Sequence, residues 1–206
     1  MQFDPESRAY DQDHNAVETM LVETAHLDDM PHSVHLFLEQ VDHGLFDASD
    51  FHRNADHILQ AGPSGIDDAS ENQRERYTKF VKEYPSLLHT LFQEYSADFP
   101  HREYTLGYSG RPSGPDFYIN LSSENEQLHG PGGQTHHYAT VKHGDPNAVP
   151  YEDADPCFAR NIRGTDVVDR MRQSQIKPGI SGNGMLHPVA IKSMHIVPGP
   201  ADSLHQ

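Results

Sequence analysis

Few residues in this chain offer obvious chemistry, and they are scattered. Arg53 stands in FHRNADHILQAGP (Phe51 to Pro63), five residues before the apolar pair Ile58-Leu59, which runs straight into Gln60-Ala61-Gly62-Pro63. A guanidinium is always charged, planar and rich in N–H donors, so a lone one beside apolar residues suits fixed recognition of a carbonyl or a lone pair. The 16 histidines suggest metal binding, above all His129, His136, His137 and His143 in one polar loop. No H-x-x-x-H on a helix and no His/carboxylate spacing organises them, so neither a metal site nor a cofactor is expected. Cys157 is the single cysteine, which excludes an internal disulfide and a Cys-rich zinc site. Beside Phe158 it reads as a small buried hydrophobe. Asn120-Leu121-Ser122 fits the glycosylation pattern, but it closes an apolar run and reads as a chance match.

Composition sets the frame for these residues. With 206 residues and 23.2 kDa the chain can build one good hydrophobic core. Lys and Arg number 15 against 31 Asp and Glu, a formal net charge of -16, so a phosphate backbone would be repelled and nucleic acid is not an expected partner. Apolar runs are a few residues long, far short of a membrane span, and the acidic start MQFDPESRAYDQDH lacks the pattern of a signal peptide. Compartment and oligomeric state are not written in these residues.

The elements that must position Arg53 follow from periodicity. Residues 1–16 show none and read as a flexible arm, residues 17–198 as the domain, and residues 199–206 as a tail. Glu18 to Ala25 alternates as a strand. Pro31 opens a helix whose Val34, Phe37, Leu38 and Val41 fall at i, i+3, i+4 and i+7, and Gly44 stops it. The chain then turns extended through the Arg53 stretch. Insertions are expected at about 66–98 and 123–149. The first carries a surface helix introduced by Ser70 and Gln73, and the second reads as a polar excursion over the surface. Strand-like runs at Tyr104 to Tyr108 and Phe117 to Leu121 bracket a Gly/Pro-rich loop. DPCFARNI resumes as a strand, Thr165 or Asp166 caps a second helix with Val167, Val168 and Met171, and Val189 to Val197 reads as the last strand.

In order and spacing, Phe51-His52-Arg53, Ile58 to Gly62, Gly114 to Ile119, and Phe158 through Gly164 into Val167 to Met171 together resemble the cyclophilin family of peptidyl-prolyl cis-trans isomerases. The sequence looks more like a divergent, microalgal-like branch than like the familiar cytosolic forms. The resemblance implies a mainly β fold, a closed eight-stranded antiparallel barrel capped by two helices. It also implies binding of proline-containing peptide or protein segments. It puts Arg53 in the catalytic donor role, Ile58, Leu59 and Tyr118 in the pocket that grips the proline ring, and Gln60 and Asp116 beside the substrate backbone.

Several positions depart from the family pattern. Ile58 and Tyr118 stand where the family usually has phenylalanines, and Asp116 stands where it has glutamine. Pro150 to Asp155 replaces a segment that carries tryptophan and histidine. An aspartate near Arg53 could pair with it. Two functions fit: an isomerase assisting protein folding, or a catalytically impaired module that only holds proline-containing segments or scaffolds an assembly.

Overall fold

The computed structural model describes residues 1–10, 18–47, 49–63, 71–110, 112–131, 154–179 and 182–198. Helix α1, Pro31–Asp42, buries Val34, Phe37 and Val41 of the expected face, with Leu36 beside them and Leu38 only partly buried. Met30 at its N-cap gives no side-chain hydrogen bond. The open N–H groups are met from far along the chain: the Glu94 carboxylate accepts from His32 N at 2.8 Å and Ser33 N at 2.7 Å. Gly44, with φ of +71°, takes the left-handed turn that ends the helix.

Seven strands form one sheet: β1 Leu21–Thr24, β2 Asp50–Asn54, β3 Ile58–Gly62, β4 Thr105–Tyr108, β5 Phe117–Asn120, β6 Cys157–Arg163 and β7 Gly184–Ala190. Their order is β1-β6-β4-β5-β3-β2-β7, and every pairing is antiparallel. The expected eight strands and closed ladder are not found among the described residues, where β1 and β7 remain edges. Between those edges lies the start of the chain. Met1 O accepts from Glu18 N at 2.8 Å, and Gln2 and Ala190 exchange hydrogen bonds of 2.8 and 3.0 Å. Residues 1–16 were expected to form a flexible arm, of which 11–16 lie outside the described residues. Instead Phe3 is 2% exposed, with the Arg170 guanidinium 4.3 Å from its ring centre.

The last strand also differs from expectation, forming at Gly184–Ala190 instead of Val189 to Val197. The inward residues that β2 selects are Met185 and Val189, while Ile196 and Val197 stay exposed. The apolar alternation at Val189 therefore continues backwards along the chain. Pro188, which has no N–H to give a ladder, sits where the β2–β7 register shifts.

The core is aromatic. Phe37 of α1 meets Phe46, Phe117, Phe158 and Tyr108 at centroid distances of 4.9 to 6.4 Å. The buried Tyr108 hydroxyl donates to Gln40 Oε1 at 2.6 Å. Helix α2, Glu71–Glu83, begins where the Ser70 pattern predicts, while residues 66–70 lie outside the described residues. A four-residue helix, α3 (Glu126–His129), occupies part of the expected surface excursion and buries His129. The remainder of that insertion from 132 onward, with His136, His137 and His143, lies outside the described residues, as does the tail 199–206. Helix α4, Thr165–Met171, follows Gly164 and buries Val167, Val168 and Met171.

Candidate functional site

Directly opposed residues in antiparallel strands share a face. Arg53 of β2 opposes Gln60 of β3, Gln60 opposes Tyr118 of β5, and Tyr118 opposes Gly107 of β4, so the four form one row across the sheet. Gly107 gives the row its depth. A Cβ there would lie 2.6 Å from Tyr118 Cζ, so only a glycine lets the phenol ring lie across β4. Ile58, two residues before Gln60, shares its face and forms a small buried cluster with Ala55 and Tyr118, apart from the main core. Leu59 turns the other way. It is fully buried in the main core and is not brought to the pocket, because residues one apart on a strand point to opposite faces.

Arg53 is held at two points. Its Nε donates to the Gly182 carbonyl at 2.9 Å and its Nη1 to Gln60 Oε1 at 3.1 Å. Gln60 Nε2 donates in turn to Asp116 Oδ2 at 2.9 Å. The Arg53–Asp116 pairing raised from the sequence thus runs through Gln60. His52 Nε2 lies 3.5 Å from the same Asp116 oxygen, and its Nδ1 lies 3.5 Å from Asp50 Oδ1. Neighbouring residues of a strand serve one network here because the register shifts between Phe51 and Arg53. Burial opposes charge on His52, but hydrogen bonds and Coulombic attraction from Asp116 and Asp50 outweigh it and raise the imidazole from 6.5 to about 9. His52 is therefore a second cation at neutral pH, enclosed by carboxylates.

The far end of the row is polar. The Tyr118 hydroxyl donates to Asp155 Oδ2 at 3.1 Å, and His129 Nδ1 donates to the same oxygen at 2.9 Å. The His129 ring lies 4.8 Å from the Tyr118 ring. His101 Nε2 donates to the Asp155 carbonyl at 2.9 Å, leaving Nδ1 to accept from Asn120 Nδ2 at 3.3 Å. Burial first, then the neighbouring His129, lowers His101 to about 4 and keeps it neutral. Asn120, the potential glycosylation acceptor, is fully buried within this network.

Cys157 is buried, and burial pushes its thiol up to about 12, so it is no nucleophile at neutral pH. Among the described residues, the group with metal-capable spacing is Asp4, Glu6 and His187, which shares no residue with the Arg53 row. A cleft of about 490 Å³ between the end of α1 and α2 includes Asp50 and Gly62 but not Arg53, Gln60 or Tyr118. No described helix is long and apolar enough to cross a membrane.

Arg53, Ile58, Gln60, Asp116 and Tyr118 are thus brought together as the sequence suggests. His52, His101, His129 and Asp155 join them in places that the sequence reading did not assign to this site. His52 had a signal in its place beside Arg53. The others are joined by contacts that span a loop or an insertion, which spacing along the chain does not encode.

No family model matches the chain, and no curated protein matches it. Solved structures do. A cyclophilin type peptidyl-prolyl cis-trans isomerase from Cryptosporidium parvum, determined in the presence of the dipeptide Ala-Pro, is similar with a TM-score of 0.56 and 14% identity, over 87% of this chain and 93% of that one. A second structure of that isomerase gives 0.57 and 15%, over 88% and 92%. At such identity the likeness concerns architecture alone. The chain has a divergent cyclophilin-type fold.

Proposed function

We propose that the protein is a peptidyl-prolyl cis-trans isomerase acting on proline-containing segments. The observation that carries this reading is the row Arg53–Gln60–Tyr118, which sets a fixed cation beside a small apolar cluster of Ile58, Ala55 and Tyr118. An X-Pro bond resists rotation by roughly 18–20 kcal/mol because of amide resonance. Twisting removes the resonance and returns a lone pair to the prolyl nitrogen. A preorganised donor binds that twisted state better than either planar one, and no nucleophile or metal is needed. In this reading Arg53 is the donor, Ile58 and Tyr118 hold the pyrrolidine ring, and Gln60, oriented by Asp116, holds the substrate backbone. The Ala-Pro dipeptide used with the structural neighbour is the class of ligand this arrangement suits. The working unit is residues 17–198 together with the packed residues 1–10, and we read the Met1–Gln2 rung as the remnant of an eighth, closing strand.

Exchange NMR on an Ala-Pro peptide tests the proposal. The protein should accelerate cis/trans exchange, and Arg53→Ala should lower kcat/KM by about 100-fold or more. Unchanged exchange with the intact protein overturns it. A second reading, a module that binds proline segments without isomerising them, is favoured by the engagement of Arg53 Nε and Nη1 with the Gly182 carbonyl and Gln60 Oε1, which occupies donors that a twisted prolyl bond would need. Saturable Ala-Pro binding without accelerated exchange would select that reading.

A further inference from the structure

Asp116 is a carboxylate only 3% exposed and separated from the Arg53 guanidinium by the Gln60 carboxamide alone. Its place is fixed by bare backbone, since a Cβ on Gly62 would sit 2.5 Å from Asp116 Oδ1. A buried carboxylate that close attracts a guanidinium into a forked, two-bond pair. Such a pair would occupy the donors that a twisted prolyl bond requires.

We propose that His52, held as a cation between Asp116 and Asp50, neutralises Asp116 and thereby keeps Arg53 on Gln60 and turned toward substrate. His52 is a positioning residue, Asp116 is its counter-ion, and the proposal rests on the isomerase reading above. Three features support it. The contacts form one continuous line, from Asp50 to His52 at 3.5 Å, His52 to Asp116 at 3.5 Å, Asp116 to Gln60 at 2.9 Å and Gln60 to Arg53 at 3.1 Å. The Gln60 carboxamide can bridge in only one orientation, amide nitrogen to the carboxylate and oxygen to the guanidinium. His52 also retains its proton up to about pH 9. Among the described residues, the charged and titratable groups near it include Asp50 and Arg53 of its own strand, Asp116 ahead of β5, Lys177, whose side chain lies with the His52 carbonyl at Gly184, and Tyr77 of α2 beside Asp116. The Tyr77 phenol is raised by burial and then by Asp116. Arg76 of α2 shares the neighbouring cleft with Asp50.

The test is a charge swap read by exchange NMR on a blocked Ala-Pro peptide. His52→Gln removes the cation, and kcat/KM should fall about tenfold through kcat, with KM nearly unchanged. Adding Asp116→Asn removes the charge that His52 balanced, and the double variant should recover most of the loss. In the unaltered protein kcat/KM should fall as pH rises through about 9, and that limb should vanish in the double variant. Full activity in His52→Gln, or no recovery in the double variant, overturns the proposal.

If the unaltered protein does not accelerate exchange, the isomerase reading falls and the relay is read from the Arg53 side-chain NMR signals. Slowed guanidinium rotation in His52→Gln, relieved by Asp116→Asn, supports the relay. Unchanged Arg53 signals overturn it.

Discussion

Histidines in this molecule are displaced in opposite directions, His52 upward and His101 and His57 downward, and the largest of these shifts, at His52 and His101, shape its pH dependence. His52 is raised from 6.5 to about 9, so the folded state holds its proton more tightly than the unfolded chain does. Its contribution is complete below pH 6.5 and is lost as pH rises through about 9. His101 is lowered to about 4, so the unfolded chain takes up a proton that the folded state refuses. That contribution is present above pH 6.5 and is lost as pH falls toward about 4. From these two groups, the melting temperature should peak near pH 6.5 and fall on both sides, as thermal scans across pH would show. His52→Gln should flatten the alkaline limb, and the His101 ring signals should titrate only near pH 4. A flat profile in the unaltered protein would contradict both assignments. At this scale the sequence was informative where a role depends on strand parity. Ile58, Gln60 and Tyr118 share a face, and Leu59, one position away, does not. It was silent on His129 and Asp155, whose contact spans the insertion between them.

Elements were legible where their stabilisation is local. Helix α1 follows from its apolar spacing, and α2 from its opening residues. Helix α1 also depends on a partner that no local pattern contains, the Glu94 carboxylate on His32 N and Ser33 N. Glu94→Ala should therefore destabilise the protein by about 1 kcal/mol, measured as a lower urea midpoint with an unchanged denaturant slope. No change in midpoint would mean that water caps the helix equally well. Strand β7 was misplaced for a related reason: its alternation extends in both directions from Val189, and only the β2 partner chooses between them. Helix α3 is too short for periodicity to announce it.

For the whole molecule, the excess of acid over base gives a formal net charge of -16 and concentrates importance on the few cations that pack inward. Arg170 is one. It lies over Phe3, bonds Glu18 Oε1 at 3.1 Å, and so ties the start of the chain to α4. Phe3→Ala should cost about 3 kcal/mol, seen as a lowered midpoint in chemical unfolding. A change near zero would return residues 1–10 to the status of a loose arm. The Met1–Gln2 rung reaches from the approach to β1 across to Ala190. It joins residues 1–2 to the end of β7, a contact of very high sequence separation. On a ribosome Met1 can meet Glu18 early, but Gln2 must wait for its partner until Ala190 has emerged. The contact that bridges the two edges of the sheet can therefore form only after β7 has been made.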